Sequence, residues 1–179
     1  MRANRFILTG APGAGKTTLL GHLGPGIRHV AEPAREVLAE QRAVDGHGIP
    51  SRDPALFLEL LLRRSIDKYR EAETWDGPVL YDRGVPDCVA YALRLGVDPA
   101  ASVLASQTYR YHPEVLVLQP WEAIYTVDDE RTMSFADTLS FHELFLDAYR
   151  QAGYGLIQVP QDSIAKRAAF IREFISARS

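Results

Sequence analysis

Residues 10–18 read GAPGAGKTT, and this stretch determines the fold that we expect. Four of its residues match the spacing G-x-x-x-x-G-K-[ST] of a phosphate-binding loop: Gly10, Gly15, Lys16 and Thr17. A short apolar run at residues 6–9 precedes the stretch, and a leucine-rich segment at residues 19–23 follows it. In this order of strand, loop and helix, the spacing predicts nucleotide binding rather than a glycine-rich turn that binds nothing.

The residues of this loop have separate expected roles. The glycines let the backbone turn tightly, so that several N–H groups point at one anion beside the positive end of the next helix. Lys16 should reach the β- and γ-phosphates of a nucleoside triphosphate, and the hydroxyl of Thr17 should bind Mg²⁺. We expect the whole loop to hold the nucleotide: Gly10, Ala11, Pro12, Gly13, Ala14, Gly15, Lys16, Thr17 and Thr18.

The composition is that of a globular protein without an evident nucleic-acid surface. Of the 179 residues, 46% are hydrophobic and 24% are charged, and the net charge is −3. No basic arm stands out, which gives no support for nucleic-acid binding. Cys88 is the only cysteine, so an intramolecular disulfide is excluded, which fits a cytoplasmic location. We find no signal peptide and no run of the roughly 18 apolar residues that a membrane span needs.

Short apolar runs alternate with longer helical patterns along the whole chain. The five runs predict buried parallel strands at residues 6–9, 27–31, 78–81, 115–118 and 156–159. Helices are predicted at residues 34–44, after Asp53, after Pro86, and at residues 135–151 and 163–177. This rhythm predicts a three-layer α/β/α fold with a five-stranded parallel sheet, as a single domain over residues 1–179.

Polar residues follow the third predicted strand. Asp82 stands where a phosphate-loop protein usually has the acid on the Mg²⁺ side of the site. Arg83 could hold a substrate or a phosphoryl oxygen, or it could form an ion pair that holds the site together. Asp87 could bind the substrate, or it could cap the helix that starts near Pro86.

A second carboxylate, Glu32, follows the second predicted strand. The carboxyl ends of parallel strands lie at one edge of a sheet, so Glu32 and Asp82 should face one cleft. One of them could serve Mg²⁺, and the other could take a proton from an attacking hydroxyl. Arg35 points back from the first helical turn and could bind the substrate. The alternative for Glu32 is a solvated strand end with a helix-capping role.

Residues 121–134 are charged and read as a lid after the fourth strand. Arg131 could close over the transferred phosphoryl group, although a solvated surface turn is the alternative. Tyr109 and Arg110 could line an acceptor pocket, or they could pack at a helix end. Arg167 could cover the nucleotide base, and an exposed helix arginine is the simpler interpretation.

Five segments together resemble a known family: GAPGAGKTT, AEPAREVL, VLYDRGVPDCVAYA, IYTVDDERT and YRQAGYGLIQVP. They look like the AAA-type P-loop ATPase/kinase family that includes the kinase domain of the bacterial ribosylnicotinamide kinase and TTD14-like proteins. The pairs Glu32-Pro33 and Asp82-Arg83 are more distantly similar to the deoxynucleoside kinases. There, a glutamate after the second strand is the general base. The resemblance implies the thymidylate-kinase-like strand order 2-3-1-4-5.

Two classes of function follow from these residues. The first is a kinase that uses Mg²⁺ and ATP, with Lys16 and Arg131 at the γ-phosphate and Glu32 at the hydroxyl of a nucleoside-like or other small acceptor. The second is an ATPase or GTPase switch that binds a protein or lipid partner. The sequence lacks the guanine-reading Asn-Lys-x-Asp, which favours ATP over GTP. No motif indicates an oligomeric state.

Overall fold

The computed structural model describes residues 4–124 and 133–179. Its strands are β1 (Arg5–Gly10), β2 (Arg28–Val30), β3 (Val79–Asp82), β4 (Glu114–Leu118) and β5 (Gly155–Val159). Its α-helices are α1 (Lys16–Leu20), α2 (Pro33–Ala43), α3 (Pro54–Glu71), α4 (Asp87–Leu95), α5 (Ala100–Thr108), α6 (Phe135–Gln151) and α7 (Ile164–Ser176). Short 3₁₀ turns occupy Ala72–Thr74 and Glu122–Ile124.

The five strands form one parallel sheet in the order β2-β3-β1-β4-β5. The predicted α/β class, parallel sheet and strand order are therefore confirmed. β1 lies at the centre, with Leu8 beside Asp82 of β3 on one side and beside Leu116 of β4 on the other. This register places the loop after β1 and the end of β3 at the same edge of the sheet, where sites in parallel sheets form.

Helices cover both faces of the sheet. Successive residues of a strand point to opposite faces, so the apolar residues of one strand pack against helices on both sides. Phe6 and Leu8 of β1 pack with α1 and α7, whereas Ile7 packs with the helices of the other face. The second face is covered by α3, α5 and α6, and α2 and α4 add a further apolar layer outside it. The strands β1, β3 and β4 are buried along nearly their whole length, which explains their continuous apolar sequences.

Three of the predicted helices start at a side-chain cap, whereas α2 and α4 have none. Asp53 accepts a hydrogen bond from the backbone N–H of Leu56 at 2.9 Å and starts α3. Ser134 and Ser163 cap α6 and α7 in the same way. The helix α5 has no counterpart in the predicted elements, because its apolar residues make no regular stripe and Leu104 is exposed. Within residues 4–124 and 133–179, none of the helices is long and apolar enough to cross a membrane.

Candidate active site

The phosphate loop connects β1 to α1 with a backbone that only glycine adopts easily. Gly10 has a φ of 134°, and a side chain there would collide with the carbonyl oxygen of Leu118 in the neighbouring strand β4. Gly13 and Gly15 also have positive φ values, of 77° and 82°. The loop can therefore curl tightly above β1 only with glycine at these positions. Thr17 and Thr18, in the first turn of α1, are exposed.

Lys16 is buried and lies across the loop that precedes it. Its ammonium group donates hydrogen bonds to the carbonyl oxygens of Gly10 at 3.1 Å and Ala11 at 3.0 Å. Burial, together with the nearby positive charge of Arg83, lowers the pKa of Lys16 to about 8. The ammonium group is thus still charged at neutral pH and only weakly solvated. This is the state in which a phosphate would attract it strongly.

Asp82 ends β3 beside the loop, and one of its oxygens has no partner. The Oδ1 atom is buried and makes no hydrogen bond in the part of the chain that the structure describes. Burial raises the pKa of Asp82 to about 6, against the opposing charge of Lys16. A buried carboxylate oxygen without a partner costs free energy unless a ligand satisfies it. Asp82 and the exposed hydroxyl of Thr17 are hard oxygen donors and therefore fit Mg²⁺.

Arg83 joins the two carboxylates that flank it in the folded chain. Its Nε atom donates to Oε1 of Glu32 at 2.8 Å, and its Nη1 atom donates to Oδ1 of Asp87 at 2.9 Å. The guanidinium group also lies 4.2 Å above the centre of the Phe145 ring. Arg83 has a φ of 71°, which is unusual for a residue with a side chain. This conformation turns the side chain into the cleft directly after β3.

Glu32 precedes α2 and is held by two arginines. Besides Arg83, its Oε2 atom accepts a hydrogen bond from Nε of Arg35 at 3.1 Å. Burial raises the pKa of Glu32, but the charges of Arg83, Lys16 and Arg35 outweigh this effect and bring it to about 2. The carboxylate is therefore ionised at any pH near neutrality and fixed in orientation. Its side chain makes no capping hydrogen bond to α2, so the capping alternative is not supported.

Asp87 is the first residue of α4, and its carboxylate points inward rather than capping the helix. One oxygen accepts hydrogen bonds from Thr9 Oγ1 at 2.7 Å and from Arg83. The other accepts from the backbone N–H of Gly84 at 2.8 Å and from the Tyr149 hydroxyl. Because only 2% of the residue is exposed, Asp87 has no oxygen left for a substrate. Asp87 therefore positions Arg83 instead of binding a substrate.

The structure does not bring Tyr109 and Arg110 to this cleft. Both residues precede β4 and lie at the amino ends of the strands, opposite the phosphate loop. The Tyr109 hydroxyl accepts a hydrogen bond from Arg70, and Arg110 donates to the carbonyl oxygen of Ala152. These contacts are those of helix-end packing, the alternative to the predicted acceptor pocket. Arg131 and most of the predicted lid lie outside the described residues.

Arg167 of α7 is buried against the phosphate loop. Its Nη2 atom donates to the carbonyl oxygen of Ala14 at 3.0 Å, and its guanidinium group lies 5.7 Å from the centre of the Trp121 ring. The expectation of an exposed helix arginine is therefore wrong. The helical spacing placed Arg167 one turn into α7 correctly, but nothing in the sequence showed that this turn packs on the loop.

Sequence reasoning missed one residue of the cleft, His142 of α6. Only 3% of His142 is exposed, and neither ring nitrogen has a hydrogen-bond partner among residues 4–124 and 133–179. Burial and the charges of Lys16, Arg83 and Arg150 lower the pKa of His142 to about 4. His142 shares the inward face of α6 with Phe145, which packs under the Arg83 guanidinium group, and with Tyr149, which donates to Asp87. No motif contains His142, so no sequence signal could have identified it.

The low pKa of His142 predicts acid sensitivity. Its ordinary pKa is about 6.5, so the unfolded chain binds a proton between pH 6.5 and 4 that the folded chain does not. We expect the wild type to lose about 2 kcal/mol of stability from this group between pH 7 and pH 5. Urea unfolding of the wild type and His142→Leu at both pH values measures it. The raised pKa of Asp82 acts in the opposite direction but is present in both proteins. Equal pH dependence in the two would contradict the prediction.

Comparisons with known proteins show the family and the fold of the chain. A family model described as AAA domain matches residues 5–167. The chain belongs to this AAA domain family. The sequence has no significant match among the curated proteins. The more specific resemblance to the ribosylnicotinamide kinase domain stays a prediction.

Solved structures of three kinases share the fold of this AAA domain protein. Thymidylate kinase from Ehrlichia chaffeensis has a TM-score of 0.63 at 13% identity, over 96% of this chain and 97% of that one. Deoxyadenosine kinase from M.mycoides has a TM-score of 0.61 at 14% identity, over 98% and 100% of the two chains. Shikimate kinase from Acinetobacter baumannii has a TM-score of 0.57 at 17% identity, over 97% and 93%. At these identities the likeness shows the thymidylate-kinase-like fold.

Proposed function

We propose that this protein is a kinase that transfers the γ-phosphoryl group of Mg²⁺-ATP to a hydroxyl group of a small acceptor. The observation that carries the proposal is the Glu32 carboxylate, which Arg83 and Arg35 fix in the cleft that also contains Lys16. A nucleotide switch has no need for a second oriented carboxylate beside the phosphate loop, and dependence of ADP release on an acceptor separates a kinase from an ATPase. The kinases of similar fold support the same reaction class.

Each residue of the site has a separate role in the proposed phosphoryl transfer. The backbone N–H groups of the loop bind the phosphates, and the Lys16 ammonium group neutralises charge on the γ-phosphoryl group. Thr17 and Asp82 would hold Mg²⁺, which would offset the negative charge of the phosphates. Arg131, if it reaches the cleft, would add a further positive charge.

Glu32 would act on the acceptor. Its carboxylate accepts a hydrogen bond from the acceptor hydroxyl and aligns that oxygen with the γ-phosphorus. The new O–P bond forms as the bond from the γ-phosphorus to the bridging oxygen of ADP breaks, and the hydroxyl proton passes to the carboxylate. With a pKa of about 2, Glu32 is a weak base, so its main contribution is orientation and late proton transfer. A loose transition state needs little proton removal before the phosphoryl group moves.

The decisive experiment measures ADP release from Mg²⁺-ATP by the purified protein. It is run alone and with nucleosides, ribosylnicotinamide, nucleoside monophosphates and small hydroxylated metabolites. We expect one class of acceptor to stimulate release strongly and to appear in phosphorylated form. Slow release that no acceptor changes would contradict the proposal and favour a partner-coupled ATPase or switch.

A cytoplasmic location stays a prediction.

Glu32→Gln tests the role of the fixed carboxylate. We expect a roughly 100-fold or greater fall in kcat, because the amide cannot accept the hydroxyl proton and its NH₂ group faces the guanidinium groups of Arg83 and Arg35. The affinity for ATP should stay within about threefold of the wild type, since Glu32 does not belong to the phosphate loop. Acceptor-dependent ADP release and equilibrium ATP binding measure the two effects.

Two further variants make the Glu32 result specific. Glu36→Gln changes a carboxylate of the same helix that pairs with Arg64 and Lys68 away from the cleft, and it should leave kcat unchanged. Asp82→Asn should instead lower the affinity for Mg²⁺, so that activity requires a higher Mg²⁺ concentration. If Glu32→Gln is as active as the wild type while Asp82→Asn is inactive at any Mg²⁺ concentration, the base is Asp82.

A further inference from the structure

We infer that His142 is a substrate-contacting residue whose imidazole forms a hydrogen bond with an uncharged hydroxyl or amide group of the acceptor. The inference rests on the proposed kinase function and specifies the chemistry of its acceptor. Three observations carry it: the position of His142 on α6, its buried ring nitrogens without partners, and the neutral state of the ring.

The position of His142 follows from the direction of α6. β5 comes directly after this helix and starts at the amino edge of the sheet, so α6 runs from the carboxyl edge to the amino edge. Phe145 lies one turn after His142 and packs under the guanidinium group of Arg83. Tyr149 lies two turns after His142 and donates to Asp87. His142 is therefore nearer the phosphate-loop edge than either residue and lies on the same face of the helix.

The unpaired state of His142 separates it from its polar neighbours. Thr9, Asp87 and Tyr149 are equally buried, and each of them has a hydrogen-bond partner. A buried polar ring without a partner costs free energy, and native proteins rarely leave such a group unsatisfied. Neither ring nitrogen has a partner within the described part of the chain, and a molecule bound in the cleft would supply one. We expect that molecule to bind in the cleft that contains Glu32, Asp82 and Lys16.

The ring's charge state selects the class of group that it can bind. With a pKa of about 4, His142 is neutral at physiological pH and has one donor and one acceptor nitrogen. A phosphate offers only acceptors and would be better served by a cation. A hydroxyl or an amide both donates and accepts, so it can satisfy a neutral imidazole at either nitrogen. We therefore expect the acceptor to be a nucleoside or a small polyhydroxylated molecule. We do not expect a nucleoside monophosphate that binds His142 through its phosphate.

Three substitutions of His142 test this contact. His142→Leu has nearly the same volume and removes both nitrogens, whereas His142→Gln and His142→Asn return an amide near Nε2 or Nδ1. For the acceptor that stimulates the wild type, we expect kcat/KM to fall roughly 10-fold to 100-fold in His142→Leu. One of the two amide variants should recover part of this loss. Equilibrium ATP binding should stay within about twofold, and the melting temperature of His142→Leu should equal or exceed that of the wild type.

Controls separate the possible outcomes. His29→Gln alters an exposed histidine of β2 and should change none of the measured quantities. Wild-type turnover with unchanged kcat/KM in His142→Leu would overturn this inference alone. A large loss of melting temperature in His142→Leu with normal activity in His142→Gln and His142→Asn would also overturn it, since the role would then be structural. Absence of acceptor-dependent release in the wild type would overturn the proposed function and this inference with it.

Discussion

Lys16→Ala should lose roughly 100-fold to 1,000-fold in acceptor-dependent turnover while the protein remains folded. The ammonium group of Lys16 is buried and, among residues 4–124 and 133–179, donates only to the loop carbonyl oxygens of Gly10 and Ala11. A phosphate that enters the loop would take over these hydrogen bonds, and the positive charge would act on it in a poorly solvated site. The nearby Arg83 is bound to Glu32 and Asp87, and Arg167 is bound to the carbonyl oxygen of Ala14, so we expect neither to replace Lys16.

The experiment for Lys16 compares ADP release with melting temperature. The melting temperature of Lys16→Ala should stay within a few degrees of the wild type, because a desolvated charge with a pKa lowered to about 8 contributes little to stability. Lys166→Ala serves as the matched control, because this lysine is exposed on α7 and forms a surface ion pair with Asp162. Turnover of Lys16→Ala at the wild-type rate would show that the loop does not bind the reacting phosphate.

Much of the fold follows from local sequence patterns that the structure preserves. The runs at residues 6–8 and 115–118 are continuously apolar because both faces of β1 and β4 are covered, and this pattern predicts buried parallel strands. Asp53 marks the start of α3 because its side chain accepts a hydrogen bond from the first turn, as its residue type predicts. Each of these signals operates over a few residues, which is why the sequence reveals it.

The contacts that the sequence did not reveal join segments that are distant in the chain. Arg167 meets the loop at Ala14, which is 153 residues away in the chain. His142 enters the cleft only because α6 packs on α4 and β1. Asp87 has the ordinary position of a helix cap, yet its partners come from β1, the turn after β3 and α6. The spacing of residues along one helix cannot predict these contacts, because the packing of other elements determines which side of the helix is buried.

Asp87→Asn should destabilise the protein by about 3–5 kcal/mol, because it breaks a buried ion pair and leaves the Arg83 charge partly uncompensated. The new NH₂ group would also face a donor, either Thr9 or Arg83 on one side or Gly84 and Tyr149 on the other. For a chain of this length, the loss corresponds to a fall of roughly 10 °C in melting temperature. Urea and thermal unfolding measure the two quantities.

The same substitution should lower activity through Glu32. Arg83 holds Glu32 while Asp87 holds Arg83, so a displaced guanidinium group would release the carboxylate that aligns the acceptor. Asp147→Asn is the matched control, since its partner Arg150 forms an exposed ion pair three residues away, and it should change stability by less than about 0.5 kcal/mol. If both variants lost equal stability, the buried network would contribute no more than a surface ion pair. Full activity in a folded Asp87→Asn protein would show that Arg83 keeps Glu32 in place without it.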